Sequence, residues 1–292
     1  MSIIKKLTIG IIGANGFVGN YLCKPLKLID YTVIKISIRG TSISIDGSKV
    51  NEVNHLRNIF STIDTIIDCS SPFTNPSLIN QCIDETSKFK QIIEDSHFKG
   101  NYILLSSVSV YGQDHKIIDS SSTPSPFDPY GKSKLLKENW LLSRYSHSYN
   151  HLHIIRPSGI LGVDMGNTFI RRITDYALSS LPISIYSFHD KFNCIISVEN
   201  LVSIIISLIN TNDNRLISLG SSSPLTLLEI AELILKYTKS NSEILLNKIG
   251  RQPFTLDASC WHGFNQYIQT TEICLVSFLD RYTKDISSKK FV

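Results

Sequence analysis

No stretch of this chain stays apolar long enough to span a membrane. Its longest runs, "LTIGIIG" and "LVSIIISLI", stop well short of the roughly 20 residues a bilayer requires. An excess of one charge is also missing. The chain has 29 Lys and Arg against 25 Asp and Glu, a net +4 with the basic residues scattered, so nucleic acid is not an expected partner. Cysteine is sparse and unpatterned. The six, at positions 23, 69, 82, 194, 260 and 274, form no CxxC and do not cluster with histidine. Reduced, mostly buried thiols are therefore expected in place of a disulfide framework or a metal site. His151 and His153 stand two apart, but no Cys or carboxylate lies at ligand spacing, and they read as packing or surface residues. Repeats and low-complexity tracts are absent. The opening "MSIIKKLTIGIIG" has the basic start and apolar run of a leader, yet passes straight into "GANGFVGN" with no cleavage site. The expected location is cytoplasmic.

What is there is ordinary globular material. The 292 residues are 42% hydrophobic and 18% charged, enough for one large domain or two small ones with a substantial core. Apolar runs alternate with helical patterns through the first half. "KLTIGIIG", "YTVIKISI", "TSISI", "IDTIIDCS", "NYILLSSVS" and "HLHIIRPSGI" read as strands. "GFVGNYLCKPLKLI", "VNEVNHLRNIF" and "SLINQCIDETSKFKQIIEDS" read as the helices between them. Strands apolar on both faces and separated by helices predict an α/β fold with a doubly wound parallel sheet. After about residue 160 four helical patterns dominate, around short strands such as "PISIYSF". Two parts are expected: residues 1–160 carrying the sheet, and residues 161–292 forming a smaller, mostly helical C-terminal lobe, one strand or helix of which returns to the first.

The stretch "IGIIGANGFVGNYL" places Gly13, Gly16 and Gly19 at the junction of the first strand and first helix. Gly13 allows a tight turn, Gly16 lets a diphosphate approach the backbone, and Gly19 permits close packing of the helix. Asn15, Phe17 and Val18 complete the loop, and the helix start offers free N–H groups to an anion. This is a dinucleotide site by position as well as by pattern. An NAD site usually ends its second strand in a carboxylate that accepts from the ribose diol. Here Ser37 stands in that place and Arg39 follows. Loss of the carboxylate removes repulsion of a 2′-phosphate, and a guanidinium can bind one, so NADP is favoured and NAD kept as the second choice. Arg39 also reads simply as a solvated loop residue. Asp46 is assigned to the adenine amine.

Strand five ends "LLSSVSVYG", and "SPFDPYGKSKLLKENW" follows. In a parallel sheet the site lies beyond the carboxyl ends of the strands, where Ser107 emerges. Tyr130 and Lys134, one turn apart, share a helix face. The ammonium and the positive helix end would stabilise a phenolate whose pKa is otherwise about 10. Tyr130 is then a general acid, with Ser107 holding the substrate oxygen. Asp114, Asp119 and Asp128, in the loop ahead, read as solvated turn residues.

Together "GANGFVG", "SSVSVYG", "PYGKSK" and "IIRPSGILG" resemble the extended short-chain dehydrogenase/reductase superfamily, and within it the nucleotide-sugar epimerase/dehydratase/reductase group. "FNCIISVENLVSII" and "LDASCWHGF" are similar to its later segments, so the likeness covers nearly the whole chain. It implies a Rossmann fold, catalysis by Ser107, Tyr130 and Lys134, and Lys134 also on the nicotinamide ribose. Pro157, Ser158 and Gly159 would line the nicotinamide pocket. Ser109 or Tyr111 would touch the sugar, with Asn167, Asn193 and Arg251 further substrate contacts. The partner implied is a small-molecule nucleotide sugar, with a homodimer built on the Tyr–Lys helix. Several positions depart from the pattern. Ser70 and Ser71 replace two alanines of the cofactor pocket, Cys82 replaces an Asn, and Asn193 stands where many members have an Arg for the nucleotide diphosphate. Lys191, Arg171, Arg172 or Arg251 would then supply that charge. Val108 and Ser109 replace the Asp–Glu pair of a 4,6-dehydratase, which argues against that reaction. The reading is an NADPH-dependent reductase of a nucleotide-linked 4-keto deoxysugar in polysaccharide or glycoside synthesis. A 4-epimerase is the alternative, followed by reduction of a non-sugar ketone and by a non-catalytic NADP sensor.

Overall fold

In a computed structural model of the chain, residues 6–39, 42–46, 48–50, 53–70, 93–94, 98–112, 115–148, 150–247 and 253–289 are described. From the N-terminus, β1 (Thr8–Ile12) leads through the glycine loop into α1 (Phe17–Leu28). Then follow β2 (Thr32–Arg39), β3 (Ser42–Ile45), β4 (Ser48–Val50), α2 (Val53–Phe60), β5 (Thr65–Asp68) and β6 (Asn101–Leu105). Past β7 (Ile117–Ile118) come the long α3 (Pro129–Ser148), β8 (Leu152–Pro157), β9 (Gly159–Leu161), α4 (Phe169–Leu178), β10 (Ile183–Tyr186), β11 (Lys191–Phe192) and β12 (Ile195–Ser197). The chain closes with α5 (Val198–Leu208), β13 (Arg215–Leu219), β14 (Leu225–Thr226), α6 (Leu227–Thr238), β15 (Ile244–Asn247), β16 (Thr255–Leu256) and α7 (Thr271–Lys289). The helix expected over residues 77–96, with Cys82, falls outside the described residues apart from Ile93 and Glu94.

The central sheet runs β13-β8-β6-β5-β1-β2-β3-β4. From β8 through β6, β5 and β1 to β2 the pairs are parallel. β5 and β8 are buried at every position and β1 and β6 at all but the first, which is why they read as unbroken apolar runs, whereas β2 is only partly buried. At one edge the expectation needs correction. "TSISI" does not continue the parallel series: β3 folds back antiparallel on β2, and β4 antiparallel on β3. Too few residues separate these strands for a crossover, and only a hairpin is available. The apolar core under this sheet gathers Ile12, Ile36, Phe60, Ile66, Tyr102 and Leu104, with Leu141 of α3 against them.

Two compact units divide the chain. One holds residues 1–110, 126–156 and 202–217, and the other residues 111–125, 157–201 and 218–292. The sequence suggested a boundary after residue 160 with one later element returning; residues 202–217 group with the first unit, and residues 111–125 with the second. The second unit contains α4, α6 and α7 and four two-stranded ladders: β10 with β15, β11 with β14, β12 with β9, and β16 with β7. Its helices are capped as their sequences suggest. Thr168 accepts from Arg171 N–H at the start of α4, and Thr226 and Glu229 form a capping box on α6.

Candidate active site

The glycine loop closes the carboxyl end of β1. Gly13 has φ +77°, and its N–H donates to Ile36 O at 2.9 Å. A side chain there would be strained and would meet the backbone of Cys69 and Ser70 at 3.1 Å. Gly19 has less room still, because an added Cβ would lie 2.3 Å from Gly13 O. The first turn of α1 is thereby pressed onto the loop. Its N-cap is Gly16, which carries no capping side chain, and among the described residues no side-chain acceptor meets the N–H groups at Phe17 and Val18. Asn15 and Gly16 are exposed beside them. A bare helix start over a loop with no Cβ suits a diphosphate, and the residues present fit a dinucleotide.

Ser37 lies one residue past the last β1–β2 partners, Ile12 and Ile36, and so beside Gly13. It is half-buried at the position where a ribose-binding carboxylate would stand. Arg39 ends β2 opposite Ser42, and its guanidinium lies outside the described part of the chain. Asp46 is not brought to this edge. It sits beside Lys35, at the level of Ile11: its N–H donates to Lys35 O and its Oδ1 accepts from Lys35 N–H, each at 2.9 Å. The antiparallel return of β3 carries Asp46 along the sheet to Lys35, a structural bond that the adenine reading did not include.

At the carboxyl end of β6, Ser107 Oγ accepts from Ser109 N–H at 3.1 Å and caps the short 3₁₀ turn Val108–Tyr111. The first turn of α3 rests on the same segment, since a Cβ on Gly131 would lie 2.2 Å from Ser109 O. Asp128 starts that helix. Its Oδ1 accepts from Gly131 N–H at 2.7 Å, with Pro129 at the first helical position. The solvated turn residue expected at 128 is thus a helix cap. Asp119 does sit in a turn, accepting from Ser121 and Ser122, and Asp114 lies outside the described residues.

Lys134 Nζ is 5.7 Å from the centroid of the Tyr130 ring, within cation–π range. It donates to Leu105 O at 2.8 Å and Ser70 O at 3.1 Å. The structure therefore brings the Tyr130–Lys134 pair to the end of β6, where Ser107 and Ser109 emerge. Burial pulls the Lys134 pKa below the ordinary lysine range, against the opposing carboxylates of Asp68 and Glu138. Glu138 is paired in turn: Arg156 Nη2 lies 2.6 Å from its Oε2, and Ser106 Oγ donates to Oε1. Neither member of that buried pair was singled out from sequence, nor were Asp68 and Lys137. A Lys, a Lys and a Glu at 134, 137 and 138 share one helix face, and that spacing was the available signal.

In the second unit, Tyr111 is buried with its hydroxyl 2.7 Å from Ser218 Oγ. Asn193, expected near the substrate, is buried and fully used. Its Nδ2 donates to Ser221 O and Leu256 O, and its Oδ1 accepts from Leu256 N–H, each at 2.9 Å. It replaces no missing charge; it joins two backbone segments. Arg171 is engaged by Tyr282, Met165 O and Asp175, whereas Arg172, Lys191 and Asn167 are exposed. Pro157 ends β8, and Gly159 N–H donates to Cys194 O. Between them the Ser158 hydroxyl is buried without a hydrogen-bond partner among the described residues. Ser71 and Arg251 lie outside the described residues.

A family model described as the NAD dependent epimerase/dehydratase family matches residues 9–218. The chain belongs to this family. It is 24% identical over 217 residues to a UDP-glucose 4-epimerase of Vibrio cholerae, in a match covering 68% of this chain and 65% of that protein. Among solved structures, a UDP-glucuronic acid 4-epimerase from Bacillus cereus in complex with NAD superposes with TM-score 0.76 at 18% identity, over 97% of this chain and 98% of that one. RMD from Pseudomonas aeruginosa complexed with NADPH gives 0.71 at 17% identity, over 96% and 100%. Likeness at that level establishes the fold: a Rossmann-type sheet with its helices. Among the described residues, no helix is long and apolar enough to cross a membrane, and no cluster of three or more His, Cys, Asp or Glu is arranged for a metal ion.

Proposed function

We propose that this family member transfers hydride at the 4-carbon of a nucleotide-linked sugar, acting as an NADPH-dependent reductase of the 4-keto group. The observation that carries the choice of reductase is Ser37, which stands beside Gly13 where an NAD enzyme would present a carboxylate. Without that anion a 2′-phosphate meets no repulsion. The glycine loop and the start of α1 would hold the diphosphate, and Lys134 the nicotinamide ribose. When bound, the dinucleotide supplies the hydride. The protein's own groups handle the oxygen: Ser107 donates a hydrogen bond to it, and Tyr130 gives it a proton. Lys134 lowers the cost of the phenolate left behind. The side chains at 108 and 109, Val and Ser, cannot move the protons that a 4,6-dehydratase requires.

A second reading has its own support. The Vibrio relative is named a 4-epimerase, and a 4-epimerase uses the same proton-transfer group in both directions while keeping its dinucleotide bound. Titrating NADPH and NADH separately, with a check for dinucleotide retained through purification, decides between them. Exchangeable, NADPH-selective binding is expected, while retained NAD would overturn the reductase in favour of the epimerase. Tyr130→Phe should lower turnover by roughly 10²–10⁴ with dinucleotide affinity kept. Unchanged turnover would remove Tyr130 from its role. A homodimer is also proposed, supported by Leu136 and Leu142 of α3, which are 55% and 50% exposed.

A further inference from the structure

Helix α3 carries a second lysine under the site. Lys137 is buried, with Nζ 2.5 Å from Asp68 Oδ2 and 2.9 Å from Ser70 Oγ. Asp68, the last residue of β5, has no exposed surface. Its Oδ2 also accepts the Tyr102 hydroxyl at 2.7 Å, and its Oδ1 accepts the Ser70 hydroxyl at 2.6 Å and the Ser70 N–H at 3.0 Å. Ser70 is thus gripped from its side chain and amide by the Asp68–Lys137 pair, while its carbonyl accepts from Lys134. A continuous set of contacts runs from Lys137 through Asp68 and Ser70 to Lys134, and from there to the face of Tyr130.

Among the described residues, the charges in this space include two matched pairs and one lysine held otherwise. Asp68 is paired with Lys137, and Glu138 with Arg156. Lys134 makes no ion pair among the described residues and is held by two carbonyls. Cys69 adds no charge, because burial pushes its thiol up to about 12. Asp128 is committed to the start of α3. Burial raises the Asp68 carboxyl, but the Lys137 charge and the hydrogen bonds from Lys137, Ser70 and Tyr102 outweigh it and keep Asp68 below the ordinary carboxylate range. With Lys137 absent, Asp68 would be an unmatched anion close to Lys134 and would cancel its field at the phenol.

We propose that Asp68 and Lys137 are positioning residues for Tyr130: a neutral buried pair that holds Ser70 in place and leaves the charge of Lys134 directed at the phenol. This rests on the reading of Tyr130 as the proton-transfer group, but its test does not need the substrate.

Subtracting the alkaline absorbance titration of Tyr130→Phe from that of the intact protein isolates the ionisation of Tyr130. In Lys137→Met that titration should move up by about one pH unit, and in Asp68→Asn down by a similar amount. The double variant, which removes both charges together, should return it to its original position. Opposite shifts with restoration in the double variant are an electrostatic signature that a merely structural pair would not give. Shifts of the same sign, or none, would overturn the proposal. Each single variant leaves a buried charge unmatched, so either can fail to fold. The single variant that folds then decides, read against the double variant: a shift in its stated direction supports the proposal, and the opposite shift or none refutes it. Turnover that survived Tyr130→Phe would instead defeat the reading of the reaction, whatever the titrations showed.

Discussion

His153 lies in the middle of β8 with none of its surface exposed. Nε2 is 3.3 Å from Thr211 Oγ1, and Nδ1 has no hydrogen-bond partner among the described residues. Burial is the main reason its pKa falls to about 4, with Asp213 opposing and His151 and Arg215 assisting. The folded value lies below the unfolded value of about 6.5, so the folded state binds fewer protons. Stability from this group is complete above about pH 6.5 and is lost as the pH falls towards 4. Urea denaturation at a series of pH values should show that loss, and His153→Phe should flatten it. An identical pH dependence in the variant would place the acid sensitivity elsewhere. At this scale the sequence was readable where a residue answers a local backbone demand. Gly13 and Gly19 are required by a positive φ and a close approach that three-residue spacing already signals. The hydrogen bonds of Asp46 and Asn193 were not legible, because they depend on the register of a hairpin and on segments far away in the chain.

Helix α3 inverts the usual amphipathic arrangement. Its buried face carries Lys134, Lys137 and Glu138 along with Leu141, while Leu136 and Leu142 face outward. A reading of apolar residues alone would bury the wrong face, because the charged side chains are matched by Asp68 and Arg156 from strands distant in sequence. Position on the helix, set by Tyr130 and Lys134, was legible; the partners were not. The start of the helix was legible too, in the pair Asp128–Pro129, once read as cap and first helical residue. Asp128→Ala removes the acceptor for Gly131 N–H and should cost about 1 kcal/mol, measured as a shift in the urea midpoint. An unchanged midpoint would mean that water replaces the carboxylate without penalty.

Across the whole molecule, the parallel order of β8, β6, β5, β1 and β2 followed from the alternation of apolar strands and helices. The return of one C-terminal element was legible; the segments that change units were not, because hydrophobic pattern reports burial without saying which layer a segment joins. Residues 202–217 belong with the N-terminal sheet, and residues 111–125 with the C-terminal unit. A fragment ending at residue 160 would therefore lack β13, leaving β8 as a bare edge. It should fail to show a single cooperative thermal transition by circular dichroism. A sharp, reversible transition from that fragment would show the sheet to be complete without its last strand.

The late arrival of β13 also matters while the protein is being made. Roughly 60 residues separate the end of β8 from the start of β13, and at about 5–20 residues per second a ribosome needs some 3–12 s to add them. Throughout that interval the nascent sheet displays the hydrogen-bonding edge of its most thoroughly buried strand, and neighbouring chains on the same message display it too. The yield of native protein should thus depend on translation speed through this interval and on what shields the edge meanwhile. In a living cell, the codons between residues 157 and 215 bear on this fold as directly as the side chains they encode.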